Sequence, residues 1–139
     1  MKNIVIDASL IAAVLVNDEW TPAVPAVRER LAMAKLHAPM HWPMEIASVI
    51  VNAERRGRLT AADRANYLAQ ARDLQALLDI ISSEPSAAIT DLAIESGLSV
   101  YDAAYLEIAL RLDCELATND RRLITAAAAR SVSTISTLA

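Results

Sequence analysis

Ile4-Val5-Ile6 is a run of β-branched residues with no polar position on either face, and Asp7 ends it. A strand presents its side chains alternately to its two faces, so such a run reads as a strand covered on both sides. The stretch after it, Ala8 to Val16, is helical in pattern and nearly all apolar. Four further strand-like runs alternate with helical stretches: Leu36-His37-Ala38-Pro39-Met40, Leu78-Asp79-Ile80-Ile81, Cys114-Glu115-Leu116-Ala117 and Val132 to Ile135. The order is β-α-α-β-α-α-β-α-α-β-α-β, without internal repeats. Strands separated in this way by helices pair in parallel, which predicts the α/β class and a three-layer α/β/α sandwich around a central, mostly parallel sheet.

The punctuation agrees. Asn17-Asp18-Glu19-Trp20-Thr21-Pro22 is the first polar break, and Trp20 is read as a lid over core or a partner surface. Pro22 or Pro25 suits the first turn of a helix ending near Ala34, and Pro43 opens another. Gly57 is a left-handed helix terminator, Thr60 with Asp63 caps a long amphipathic helix reaching Leu78, and Gly97 stops a helix that spans Pro85 to Ser96. The 139 residues, 55% of them hydrophobic, fill one core rather than two, so residues 1–139 are read as a single domain. No apolar run reaches the ~18 residues of a membrane span, and Asp7 interrupts the place where a signal peptide would stay apolar. The expectation is a cytoplasmic protein with no membrane partner. Cys114 is the only cysteine, so no disulfide or thiolate metal cluster can form, and it is read as core filling. His37 and His41 have no partner at metal-ligand spacing and are read as structural or surface residues.

Four acids follow or closely follow strand ends and fall at or near helix starts: Asp7, Glu45, Asp102 and Asp120. Each alone is explained by capping. Ser99 with Asp102 has the spacing of a capping box, and Thr60 with Asp63 shows the same spacing where no strand precedes it. In a parallel sheet, however, every strand points its carboxyl end to one edge, where ligands bind. Four acids in matching positions therefore meet there, with helix dipoles keeping them ionised. Hard oxygen donors without His or Cys select Mg²⁺ or Mn²⁺ over zinc. Phosphodiester hydrolysis is the natural chemistry of such a site. The net charge of −4 does not exclude a polyanionic substrate: of 17 acids, setting aside these four leaves 13 against 13 bases. Arg121 and Arg122 follow Asp120 directly, and Arg55, Arg56 and Arg58 end the helix that starts near Glu45. These five are the candidate rim for the phosphates of a polyanionic substrate, RNA on the resemblance given next, with a solvated surface as the plain alternative.

Ile4-Val5-Ile6-Asp7-Ala8-Ser9, Ala38-Pro39 leading to Glu45, Tyr101-Asp102-Ala103-Ala104-Tyr105 and Thr118-Asn119-Asp120-Arg121-Arg122-Leu123 together resemble the PIN domain, over essentially the whole chain. The likeness is to the small stand-alone members that serve as VapC-type toxins in toxin–antitoxin pairs. The resemblance implies that Asp7, Glu45, Asp102 and Asp120 are the catalytic and metal-binding acids, with Thr118 and Ser9 as polar support. It further implies a five-stranded parallel sheet, a homodimer, Mg²⁺- or Mn²⁺-dependent endoribonuclease activity and a cognate antitoxin that blocks the site.

Other chemistries fit less well. A phosphatase of the haloacid dehalogenase type needs a second Asp two residues after the first, where this chain has Ser9. A phospho-receiver needs a lysine near its last strands, and the only lysines are Lys2 and Lys35. A P-loop needs a Gly-Lys pair, which is absent. The alternative of another class is a non-catalytic α/β module that binds nucleic acid or protein.

Overall fold

The computed structural model describes residues 1–15 and 20–138, so Val16 and the polar residues 17–19 of the first break lie outside the described residues. The elements follow in the order read from the sequence: β1 (Asn3–Ile6), α1 (Ala8–Leu15), α2 (Val24–Ala32), β2 (Lys35–Pro39), α3 (Trp42–Arg55), α4 (Ala61–Gln75), β3 (Leu78–Ile81), α5 (Ala87–Ser96), α6 (Val100–Leu112), β4 (Glu115–Ala117), α7 (Arg121–Ala129) and β5 (Thr134–Ile135). The helix after Thr60 stops at Gln75, short of Leu78, because the chain must turn and extend before it can enter β3. Pro25 and Pro43 sit in the first turns of α2 and α3. Gly57 and Gly97 take left-handed φ values of 72° and 66°, the conformation that ends a helix at least cost when no Cβ is present.

The five strands lie in the order β3-β2-β1-β4-β5 and pair in parallel throughout. Ile4 stands opposite Leu36 on one side and Glu115 on the other. The chain thus moves outward from β1 through β2 to β3, crosses back to β4 on the far side of β1, and ends at β5. Right-handed crossovers place the helices of the outward half on one face and those of the returning half on the other. The packing agrees. α1 meets α2 and α3, and α3 meets α4, whereas α6 meets α5, α7 and the strands β1, β2 and β4.

The core forms between these layers. Val5, Ile6, Leu116 and Ala117 are fully enclosed, as the unbroken apolar runs require. α6 turns Ala103, Ala104, Tyr105, Leu106, Ile108 and Ala109 inward, its alanines letting the helix approach the sheet closely. Cys114 is half-buried and packs against this core. His37 is buried within the sheet, its ring nitrogens 3.1 Å from Asp79 of β3 and 2.9 Å from Asn3 of β1. It ties three strands together, the structural role expected of it. Trp20 is half-exposed. Among the described residues no helix is long and apolar enough to cross a membrane.

Candidate active site

The strand order reverses between β1 and β4, and the crevice above that point is where an open parallel sheet binds its ligands. Asp7 leaves β1 here, with its backbone N–H on the carbonyl of Ala117, the last residue of β4. Thr118, Asn119 and Asp120 leave β4 beside it. Asp7 is 4% exposed, and among the described contacts its carboxylate takes no backbone N–H of α1. The hydroxyls of Ser9 and Thr118 both donate to its Oδ2, each at 2.7 Å. These hydroxyls are themselves fixed, since the Asn119 N–H donates to Ser9 Oγ and the Asp120 N–H to Thr118 Oγ1, both at 3.0 Å. Burial raises the pKa of Asp7 to about 6; the two hydroxyl bonds pull it down, and the charges of Glu45 and Asp102 push it up.

Asp102 and Asp63 separate here despite their identical spacing. At α4 the box closes in both directions, with Asp63 N–H on Thr60 Oγ1 and Thr60 N–H on Asp63 Oδ2. At α6 Ser99 takes the Asp102 N–H at 3.1 Å, but the return bond from the Ser99 N–H is absent among the described contacts. The Asp102 carboxylate instead lies within the field of its fellow acids. Burial raises its pKa first, then Asp120 and Glu45, against the opposing pull of Ser99 and Arg122. Asp120 is a true N-cap, its Oδ1 accepting the N–H groups of Arg122 at 2.9 Å and Leu123 at 3.3 Å.

Glu45 lies in the first turn of α3 and is gripped from two sides. Tyr105 donates its hydroxyl to Oε1 at 3.1 Å, and His41 Nε2 lies 2.9 Å from the same oxygen and 3.0 Å from the Tyr101 carbonyl. The His41 ring stands edge-on to both tyrosines, with centroids 5.3 and 5.4 Å away. Burial disfavours the imidazolium, yet Glu45, the Tyr101 carbonyl and Asp102 together raise the His41 pKa above its usual value. Burial, followed by the charges of Asp7 and Glu45, pushes the Tyr105 phenol up, so it stays a neutral donor.

The structure therefore brings Asp7, Glu45, Asp102 and Asp120 into one electrostatic cluster, with Ser9 and Thr118 seated on Asp7. Sequence reasoning missed His41, Tyr105 and Asn119 as members. His41 precedes Glu45 by four residues and Tyr105 follows Asp102 by three, both one-turn spacings that could have flagged them. The arginines divide. Arg56 and Arg58 line a cavity of about 440 Å³ that Ser9 and Asn119 also line. Arg121 and Arg122 line another of about 470 Å³ along α7. Arg122 donates to the Gly97 carbonyl at 2.7 Å and draws the Asp102 pKa down. Arg55 ends α3 and lines neither cavity.

In Asp7, Glu45 and Asp120 alike, one carboxylate oxygen takes the protein's donors and the other is left without a described one. Acidic oxygens held in this way suit a hard cation. Among the described residues no three acidic, His or Cys side chains close around a common point. An ion here would rest on one or two carboxylates with waters completing its shell, which is how Mg²⁺ is ordinarily held.

A parallel α/β sandwich with a carboxylate cluster at its switch point defines a class of protein whose ligands bind in the crevice beyond the carboxyl ends of its strands. The chain belongs to the PIN-domain family, whose model matches residues 4–129. It is 35% identical over 122 residues to ribonuclease VapC9 of Mycobacterium tuberculosis, covering 86% of this chain and 87% of that protein. Ribonuclease VapC3 of Pyrobaculum aerophilum is 32% identical over 121 residues, covering 86% and 91%. The crystal structure of PAE2754, also from Pyrobaculum aerophilum, superposes with a TM-score of 0.70 over 96% of this chain and 83% of that one; at 20% identity the likeness is one of fold.

Proposed function

We propose that the chain is a Mg²⁺- or Mn²⁺-dependent endoribonuclease and the toxin of a type II toxin–antitoxin pair, folded as one PIN domain over residues 1–139 and working in the cytoplasm. The observation that carries this reading is the set of four acids at the β1/β4 crevice, in a family whose relatives cited above are ribonucleases. Of Asp7, Glu45, Asp102 and Asp120, one or two would hold the cation directly and the others through its waters. When bound, it supplies a water of lowered pKa and neutralises charge on a phosphodiester oxygen. The chain's own side chains do the rest. Ser9 and Thr118 fix the Asp7 carboxylate, His41 and Tyr105 fix that of Glu45, and the α7 N-terminus fixes that of Asp120, so each open oxygen is aimed before substrate arrives. The Arg56, Arg58, Arg121 and Arg122 guanidiniums, with Arg55 at the end of α3, supply the positive charge that an RNA backbone needs beside an acidic site. Hydrolysis breaks one backbone P–O bond, the water's oxygen bonding to phosphorus and its proton leaving with the displaced oxygen. A homodimer and an antitoxin that covers the acids complete the proposal, supported by the VapC names of the relatives.

The test is cleavage of RNA by the purified protein in Mg²⁺. Asp7→Asn, Asp102→Asn and Asp120→Asn should each lose at least a hundredfold in rate while remaining folded, because Asn keeps a side chain able to accept a cap or hydroxyl bond but loses the ligand charge. Undiminished cutting in excess chelator, or by these variants, would leave a non-catalytic binding module as the better reading. Co-purification with the product of a short adjacent reading frame, and loss of activity in that complex, would test the antitoxin.

A further inference from the structure

We propose that the cavity between α1 and the end of α3 holds the nucleotide next to the scissile phosphate and selects its base, an assignment that rests on the ribonuclease reading above. The cavity, of about 440 Å³, is within the range of pockets that take a small ligand. Three features decide its occupant. It lies beside the acids, because Ser9, whose hydroxyl donates to Asp7, and Asn119, whose N–H donates to Ser9, both line it. Its charge is opposite to that of the acids, since Arg56 and Arg58 also line it. Its interior is apolar and cleared by small side chains, Ala12, Ala13 and Ala53, beside Val49. A chain of phosphates held at the acids meets positive charge and small apolar side chains beside them, and a nucleotide offers both a phosphate and an apolar base face.

The polar reader is Asn52. The Asn119 amide is already spent, its Oδ1 accepting from Ser136 Oγ and the Thr137 N–H and its Nδ2 donating to Thr137 Oγ1. Asn52 is exposed and lines the cavity, and the one described bond of its side chain is a 3.5 Å approach of Nδ2 to Ser48 Oγ, at the outer limit of a hydrogen bond. A side-chain amide presents one donor side and one acceptor side and can pair with a base edge at two points.

The experiment has two arms. The four ribonucleoside 5′-monophosphates are titrated into the wild-type protein in Ca²⁺, and the side-chain amide resonance of Asn52 is followed. A randomised RNA is then cut in Mg²⁺ by wild type, Asn52→Ala and Val49→Trp, with fragment ends sequenced. The expected results are a saturable shift of the Asn52 amide that differs among the bases, and a base preference at one position beside the cut that falls by about tenfold in Asn52→Ala. Val49→Trp, which fills the cavity, should abolish the nucleotide shifts. No shift with any nucleotide, or an identical preference in wild type and both variants, overturns the proposal. If wild-type protein cuts no RNA, the ribonuclease reading fails by itself, and the titration arm still decides whether the cavity takes a nucleotide.

Discussion

Asp7 is a buried acid, 4% exposed, with its pKa raised to about 6 against an ordinary 3.8. The folded state therefore binds a proton more readily than the unfolded chain between pH 4 and 6. Stability without divalent cations is greatest below about pH 4 on this account and falls as pH rises through 6, by on the order of 3 kcal/mol. Asp102, whose pKa is also raised, adds in the same direction. Asp7→Asn should flatten most of this slope in chemical denaturation run from pH 4 to 8, and at pH 7 it should be more stable than wild type. A slope of the same size in Asp7→Asn would mean that the burden lies elsewhere. The residue scale also marks the limit of motif reading. Asp7, Asp102 and Asp120 all looked like caps, yet of the three only Asp120 has its carboxylate on helix backbone among the described contacts. For Asp7 the difference is made by the neighbouring Ser9 hydroxyl and by that of Thr118, 111 residues away in the chain.

Helix starts show the same divergence between elements of like sequence. α4 and α6 open with the same spacing, but α4 buries only Ala71 whereas α6 is the central helix of its layer. The α4 box is a local device on an exposed helix, where capping supplies stability that packing does not. Thr60→Ala should cost about 1 kcal/mol in thermal or chemical unfolding and leave RNA cleavage by the folded fraction unchanged. Asp63→Asn should likewise cut at the wild-type rate. Loss of cleavage in either, with normal circular dichroism, would place α4 in the site. The element boundaries were legible because proline, glycine and the capping residues act within one turn of the chain. Glu45 in the first turn of α3 was legible too, but not its two donors: His41 enters from the turn before α3, and Tyr105 from α6 across the crevice.

Across the whole molecule the charge is divided. Net charge is −4, yet Arg56 and Arg58 share a cavity with the Asp7 clamp while Arg121 and Arg122 line a separate one. Arg122 is partly spent on the Gly97 carbonyl, so its removal mixes structure with binding. Arg56→Ala is the cleaner probe. Measured in Ca²⁺ against salt, its RNA affinity should fall, and the logarithmic slope should become shallower by about one unit relative to wild type. An unchanged slope would remove Arg56 from the contact with phosphate. Divalent-ion binding at the acids should be the same in both proteins.

The sequence by itself determined the element order, the α/β class and the arrival of four acids at one edge, because periodicity, caps and strand polarity are set by neighbours within a few residues. It could not set the strand order, since helices of similar length permit several arrangements of five parallel strands. Only the tertiary structure placed β4 beside β1 and β3 at the far edge, and with that order the crevice fell between Asp7 and Asp120. The same packing turned Thr118 onto Asp7, set His41 and Tyr105 on one oxygen of Glu45, and opened a basic cavity against the acidic edge. Each of these depends on residues far apart in the chain that meet only after the core has closed.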